Sequence, residues 1–475
     1  MTTVGIKLPR AFRKRNTRIA VLVTAIMILG AALVQLAAYW PGLMTYDSVR
    51  QYDQALSGQY DDWHPPVFEW VWSLLLPIHT GPEPILLLQM ALYWSGLALL
   101  AGWALNQRPG LAIALMVCGL MPLSLALTCS IVKDSLLSAS LLSAAGLLAC
   151  SQTRGGSLFA LSGIALLLFA ATLRFNAFLA GLPLLVAFLP TQWRNSRRRL
   201  FVTSVLASVP LLLALPLANS ALGAQRSGVE LSLLIFDLGG ITDHSGVDVF
   251  PVLPVKDPVL VNHQCYSAVK WDPYAWWGPS PCRIGFDLIR STLKASGQNP
   301  YQLWLTAIAA HPLAYAQHRL AHFNLNTRFL VNGQVDRPIT EQSAPNPWGF
   351  QIHPNAVQAT LDRAVVAQDR TPLGWPICWM AVALGVLVIS SRMPSRALIV
   401  PLALSSLLYG MGYLVLSVAA EMRYHLWTIL ASLVAATIAG SDLISGARPE
   451  RLQAGLAASL IAIVTMLALV ARFSL

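Results

Sequence analysis

The stretch Thr45 to Pro66 reads TYDSVRQYDQALSGQYDDWHPP and places Asp47, Asp53, Asp61 and Asp62 close in sequence to His64. Three short stretches elsewhere set cations beside acids, amides or aromatics: Lys133-Asp134, Arg174-Phe175-Asn176 and Glu421-Met422-Arg423-Tyr424. A carboxylate can take a proton from a hydroxyl, and Lys or Arg can hold a departing anion. Together these residue types fit a group-transfer site with a base on one side and an anion clamp on the other.

The elements that must carry these residues are apolar. The chain has 475 residues, of which 56% are hydrophobic and only 11% charged. Its mean hydropathy is +0.59. A soluble domain has roughly 25% charged residues. About eleven apolar runs fit the need for roughly 20 residues per membrane crossing, with ends uncertain by a few residues. They run from Ile19–Tyr39 to Ala454–Ala471 and include Leu111–Ile131, Leu158–Leu173 and Leu373–Ser391. The shortest, Ser135–Cys150 and Phe175–Leu189, barely reach across a bilayer. Ile19–Tyr39 is long for a signal-peptide core and lacks a clear small-residue cleavage site, so a retained anchor is expected.

The expected fold class is an all-α polytopic bundle in three parts. Residues 1–219 form an N-terminal transmembrane module whose first outer loop is 40–83. Residues 220–372 form an outer domain, and 373–475 form the C-terminal transmembrane helices.

Basic residues set the expected orientation. Lys7, Arg10, Arg13, Lys14, Arg15 and Arg18 precede the first span without any acid, which places the N-terminus in the cytoplasm. Loops bearing Arg108, Arg154, Arg194–Arg199, Arg392–Arg396 and Arg448–Arg451 then alternate with acid- or histidine-bearing ones. Of 21 acids, only Asp442 and Glu450 fall on the inner side. The net charge of +11 is therefore mostly a topology signal. The basic residues sit in scattered short loops beside helix ends, so a nucleic-acid partner is not expected.

The opening stretch has its own local structure. Val49, Tyr52, Ala55 and Leu56 recur at helical spacing and Gly58 follows as a stop, which predicts a short helix over Ser48–Ser57 in the membrane interface. Asp47 would stand at its N-cap, and a purely capping role is the plainer alternative. Val67–Ile78 reads as a second interfacial helix entered through His64-Pro65-Pro66. Of the six cysteines, Cys265 and Cys282 lie in the outer domain, where a bridge and two free thiols are equally open.

An acid soon after the first span, an interfacial helix, then His-Pro-Pro before a second one resembles the first outer loop of GT-C glycosyltransferases. Protein O-mannosyltransferases and lipid A aminoarabinose transferases are the members compared. The family's acidic position in the next outer turn is matched by Asp134, and its late Glu-x-Arg-Tyr-like turn by Glu421-Met422-Arg423-Tyr424. Ser48 follows Asp47, so the mannosyltransferases' paired Asp-Glu is absent. The resemblance covers the first loop and several turns, not the outer domain.

The resemblance implies a sugar donor on a polyprenyl phosphate carrier and a glycan, lipid or protein acceptor outside the cytoplasm. It also implies a bacterial inner-membrane location. Asp47 is the implied base, and Lys133, Arg174 and Arg423 fit the carrier phosphate at outer helix ends. A snorkelling or interface-anchoring cation is the plainer alternative for each. Asp134 stays open as a second acid, a metal ligand or the partner of Lys133. Adjacent helical residues diverge, so that last pairing needs a turn. His64, Glu421 and Tyr424 join as donor or acceptor contacts. No cofactor is required by this chemistry, and a divalent metal remains an alternative.

The outer domain offers fewer signals. Phe236-Asp237-Leu238-Gly239-Gly240 follows the seventh span, and YSAVKWDPYAWW (Tyr266–Trp277) suits stacking on a sugar face or a buried aromatic cluster. His311, Tyr315, His318 and His322 share a helix face. His318 and Arg319 are expected to face the carrier phosphate. Zinc at His318 and His322 is the competing reading, without a clear third ligand. A transporter or flippase of lipid-linked sugars is the alternative function, and a non-catalytic membrane scaffold is another. The first expects charges within spans, of which there are almost none.

Overall fold

The computed structural model describes residues 10–105, 108–154, 156–277 and 282–473; Lys7 lies outside them, as do the side chains of residues 10–17 and 154. Among these residues the protein is helical, with isolated β-bridges and no strands. The first helices are α1 (Arg10–Tyr39), α2 (Tyr46–Ser57), α3 (Val67–Leu75) and α4 (Glu83–Leu105). Next come α5 (Pro109–Cys118), α6 (Pro122–Thr128), α7 (Lys133–Arg154), α8 (Ser157–Leu173), α9 (Ala177–Phe188) and α10 (Arg197–Ala221). The segment expected as the outer domain, called the outer piece below, holds α11 (Glu230–Ser245), α12 (Pro258–Cys265), α13 (Phe286–Ser296), α14 (Pro300–Ala310), α15 (Pro312–Thr327) and α16 (Ala356–Asp369). The chain closes with α17 (Pro376–Ile389), α18 (Arg396–Leu416), α19 (Leu426–Ile444) and α20 (Arg451–Phe473).

Seven helices are long and apolar enough to cross a membrane, or eight if α5 and α6 count as one bent span. Leu111–Ile131, expected as one span, is these two helices joined at 63°. Pro122 explains the break, because its ring and missing N–H prevent α5 from continuing. The short expected span Ser135–Cys150 lies within the longer α7, which spans 22 residues. The helices α8, α9 and α17 remain shorter than a full crossing, with 17, 12 and 14 residues.

The core forms by close helix packing of α4 on α7. A side chain at Gly96 would bring Cβ to 2.6 Å from the backbone of Leu142, so the contact requires glycine. Small residues at such contacts let backbones approach, which is how helices gain packing energy without a hydrophobic drive. At the rim, only 22%, 17% and 11% of the apolar windows of α1, α10 and α20 are buried inside the protein. Those helices present apolar surface outward, as lipid-facing helices do.

One end of the bundle is laced by ion pairs. Arg108 bonds Asp442 and donates to Ser395 Oγ at 2.7 Å, and Arg392 pairs with Glu450 at 2.6 Å. Both acids that sequence assigns to the inner side are thus paired there. From that end α7 runs back to the opposite one, where Lys133 and Asp134 sit.

The outer piece divides. Leu231, Phe236, Trp271, Tyr274, Phe286 and their neighbours through Ala314 make a separate core. Ile339, Ile352 and Val365 instead join the main core. Residues 339–369 therefore pack on the transmembrane module: Ala344 N–H donates to Met44 O at 2.7 Å, and Tyr39 hydroxyl to Asp362 at 2.7 Å. Cys265 and Cys282 are bridged, with Cα atoms 5.7 Å apart.

Candidate active site

Two turns fix the position of α2. Leu43 N–H donates to Cys129 O at 3.0 Å, and Ile131 N–H donates to Leu43 O at 2.8 Å. This short parallel pairing holds the first loop against the turn that precedes Lys133. Helix α2 then begins at Tyr46, and its cap is Thr45, whose side chain accepts from Ser48 N–H. Asp47 is not the cap, contrary to the sequence expectation. It lies in the first turn with 31% of its side chain open. The reason is the Thr45–Ser48 capping box, in which each hydroxyl serves the other's backbone. Gly58 ends the helix at φ 67°, as its type predicts.

Around Asp47 the distant stretches converge. Arg423 Nη2 stands 2.8 Å from Asp47 Oδ2, and His64 Nε2 stands 3.8 Å from Oδ1. Lys133 Nζ is 2.7 Å from His64 Nδ1. Arg423 also bonds Glu421, and its Nε lies 3.9 Å from Asp134 Oδ2. Arg174 bonds Asp134, and its Nε has no hydrogen-bond partner among the described residues. Its guanidinium stacks 4.1 Å above the Tyr424 ring, which itself lies parallel to Tyr413 with centroids 5.6 Å apart. The structure thus brings together Asp47, His64, Lys133, Asp134, Arg174, Glu421, Arg423 and Tyr424. Lys133 and Asp134 diverge, one to His64 and the other to Arg174, as neighbours on a helix do.

The electrostatics follow from this crowding. Burial works against the charge of Asp47, but Arg423, His64 and Lys133 outweigh it and hold the carboxyl well below the usual range. Burial and the nearby Lys133 push His64 down to about 3, so it is neutral at physiological pH. Glu421 is pushed up by burial and by Asp47, against the pull of Arg423.

His318 and Arg319 lie apart from the Asp47 cluster and turn inward to Asp237 instead of to the cluster's cations. Both are buried in the outer piece around Asp237, with Arg319 Nη2 at 2.6 Å and His318 Nε2 at 3.2 Å from Oδ1. Trp304 donates to the second carboxyl oxygen at 2.8 Å. The reason is the contact of α11 with α15: a Cβ at Gly240 would sit 2.1 Å from the His318 ring. Asp237 needs these donors because an unpaired buried carboxylate is costly. Arg319 also donates to Ser417 O at 2.7 Å. His318 Nδ1 is 2.9 Å from the Tyr266 hydroxyl and His322 Nδ1 is 2.7 Å from Ala268 O.

The turn bearing Glu421 and Arg423 is strapped to the outer piece. Ala420 N–H donates to Val269 O and Trp271 N–H to Val418 O, both at 2.9 Å. Asn326 Nδ2 donates to Ser417 Oγ at 2.9 Å and to Ala419 O at 3.2 Å, and His425 Nε2 meets its Oδ1 at 2.6 Å.

Sequence reasoning missed Glu69. Glu69 on α3 is fully buried beside Gln51, and burial pushes its carboxyl up to about 8. A lone acid in the apolar run VFEWVWSLL was the available signal. Asp272 lies near enough to feel Asp47 and Arg423. No protein-family model matches this chain, and no curated protein matches it.

Proposed function

We propose that this protein is a GT-C-type membrane glycosyltransferase that moves a sugar from a polyprenyl phosphate carrier to a hydroxyl acceptor. One observation carries the reading: the partly open carboxylate of Asp47 sits among Arg423, Lys133 and Arg174 at one end of an apolar helical bundle. Asp47 takes the proton of the acceptor hydroxyl. The freed oxygen attacks the anomeric carbon from the face opposite the phosphate. The carbon–oxygen bond to phosphate breaks, its electron pair leaves with the carrier phosphate, and the sugar configuration inverts. Arg423, Lys133 and Arg174 hold the growing charge on that phosphate.

The same cations make Asp47 a poor base while no donor is present. A bound phosphate draws Arg423 and Lys133 toward itself and so raises the basicity of Asp47. The base is then strongest when the sugar is in place. Low intrinsic demand for leaving-group protonation fits this division of labour.

In this reading α8, α9, α17 and the bent α5–α6 pair complete eleven crossings, the N-terminus is cytoplasmic, and the site opens outside a bacterial inner membrane. The test is transfer of labelled sugar from a synthetic polyprenyl phosphate donor in membranes containing the protein. Label that crosses the membrane without new glycosidic bonds would support a flippase and end the transferase reading.

A further inference from the structure

Three tryptophan side chains meet at Trp63, the residue before His64. Trp276 and Trp277 are 44% and 39% exposed. Trp63, half-buried, meets them with ring centroids 4.7 and 5.8 Å away. Trp271 and Phe286, both buried, form the underside, 6.0 and 5.6 Å from Trp63. A buried aromatic cluster would hide all of these rings; here the upper two are open.

Two charged groups lie on the same segment as Trp276 and Trp277. Asp272 keeps 36% of its side chain open and stands 3.5 Å from Lys270, itself 47% open. Two connections tie the group to the reacting carboxylate. Trp63 directly precedes His64, which faces Asp47. Residues 269–271 pair with 418–420, immediately before Glu421 and Arg423. The Cys265–Cys282 bridge closes the base of the segment that carries Lys270, Asp272, Trp276 and Trp277.

Resting on the transferase reading, we propose that Trp63, Trp276, Trp277, Asp272 and Lys270 form the acceptor subsite, and that the acceptor is a carbohydrate. A pyranose ring offers one apolar C–H face and a rim of hydroxyls. Open indole faces suit the first, and a carboxylate and an ammonium at their edge suit the second. Few polar groups set among aromatic surface are the usual make-up of a small-ligand site. Tryptophans that anchor a protein in lipid stand at the ends of spans. These stand on a disulfide-closed segment of the outer piece.

The test uses the purified full chain on an array of defined bacterial oligosaccharides and of unmodified peptides. Wild type and Asp47→Asn are expected to be retained on oligosaccharides. The paired Trp276→Ala, Trp277→Ala variant is expected to lose at least tenfold in retention, and the paired Phe variant to recover most of it with an unchanged melting temperature. Retention on peptides alone, on neither set, or equally by the Ala pair overturns the proposal. In nanodiscs with brominated lipids, fluorescence quenching that disappears in the Phe pair overturns it too, by placing the rings in lipid. Glycan retention by a wild type that transfers no sugar would sink the transferase reading and leave a glycan-binding site standing.

Discussion

The amine of Lys133, 2.7 Å from His64 Nδ1, decides which imidazole nitrogen carries the proton. An ammonium only donates, so Nδ1 accepts and the hydrogen sits on Nε2, the nitrogen 3.8 Å from Asp47. His64 thereby positions the carboxylate instead of competing with it for protons. His64→Ala is expected to lower the transfer rate roughly 10–100-fold, the usual range for a partner that orients a reactive group, with donor KM little changed. An unchanged rate removes His64 from the site.

Replacing Asp47 by Asn should leave folding intact, because Thr45 and Ser48 make the cap without it. Transfer should fall by about 10²–10⁴, the contribution typical of a general base. In the wild type, the acidic limb of kcat should lie at higher pH than that of kcat/KM. The first reports the donor-loaded site, where phosphate has relaxed the pull of Arg423 and Lys133, and the second reports the free site. Coincident limbs would count against donor-linked activation.

Loss of a cation should appear in donor use. Arg423→Ala and Lys133→Ala are each expected to raise donor KM about 10–150-fold, corresponding to roughly 1.5–3 kcal/mol for a hydrogen bond to a charged group. Arg174→Ala should also lower the melting temperature, because it leaves the buried carboxylate of Asp134 with only the longer 3.9 Å pairing to Arg423. If donor affinity, measured by titration, stays constant in all three, the phosphate is bound elsewhere.

Glu69 gives the protein a pH-dependent stability. Its folded carboxyl sits at about 8 against an ordinary 4.5, chiefly because of burial. Between those values the native state keeps a proton that the unfolded chain has released, so stability falls as pH rises. The melting temperature of the wild type should drop between pH 5 and pH 8.5 more steeply than that of Glu69→Gln. Parallel curves would mean that the group is charged in the native state.

Asn326 touches no residue of the Asp47 cluster, yet it holds Ser417, Ala419 and His425. Asn326→Ala should loosen the turn that aims Arg423, raising donor KM and lowering kcat together. A change in melting temperature with normal kinetics would make the strap purely structural.

The helical, membrane-type fold was legible because apolar composition and the length of each run constrain it directly. So was the meeting of Asp47, Lys133, Arg174 and Arg423, since each stands at a helix end that basic-loop alternation assigns to one side. What escaped was set by tertiary contact. The cap fell to Thr45 because Ser48 could return its hydrogen bond. His318 and Arg319 turned inward because Asp237, far away in sequence, needed donors. Residues 339–369 joined the transmembrane core through pairings such as Met44 with Ala344, which no local pattern announces.

The joining of Asp47 to Arg423 also sets an order of assembly in time. At about 5–20 residues per second, synthesis brings Arg423 out of the ribosome tens of seconds after Asp47. Asp134 receives Arg174 early, within the first half of the chain. Asp47 must wait for a turn that is itself docked on the outer piece. The reactive centre is therefore complete only once the last third of the protein has been made and seated. A nascent chain that ends before Arg423 carries Asp47 without its closest cation.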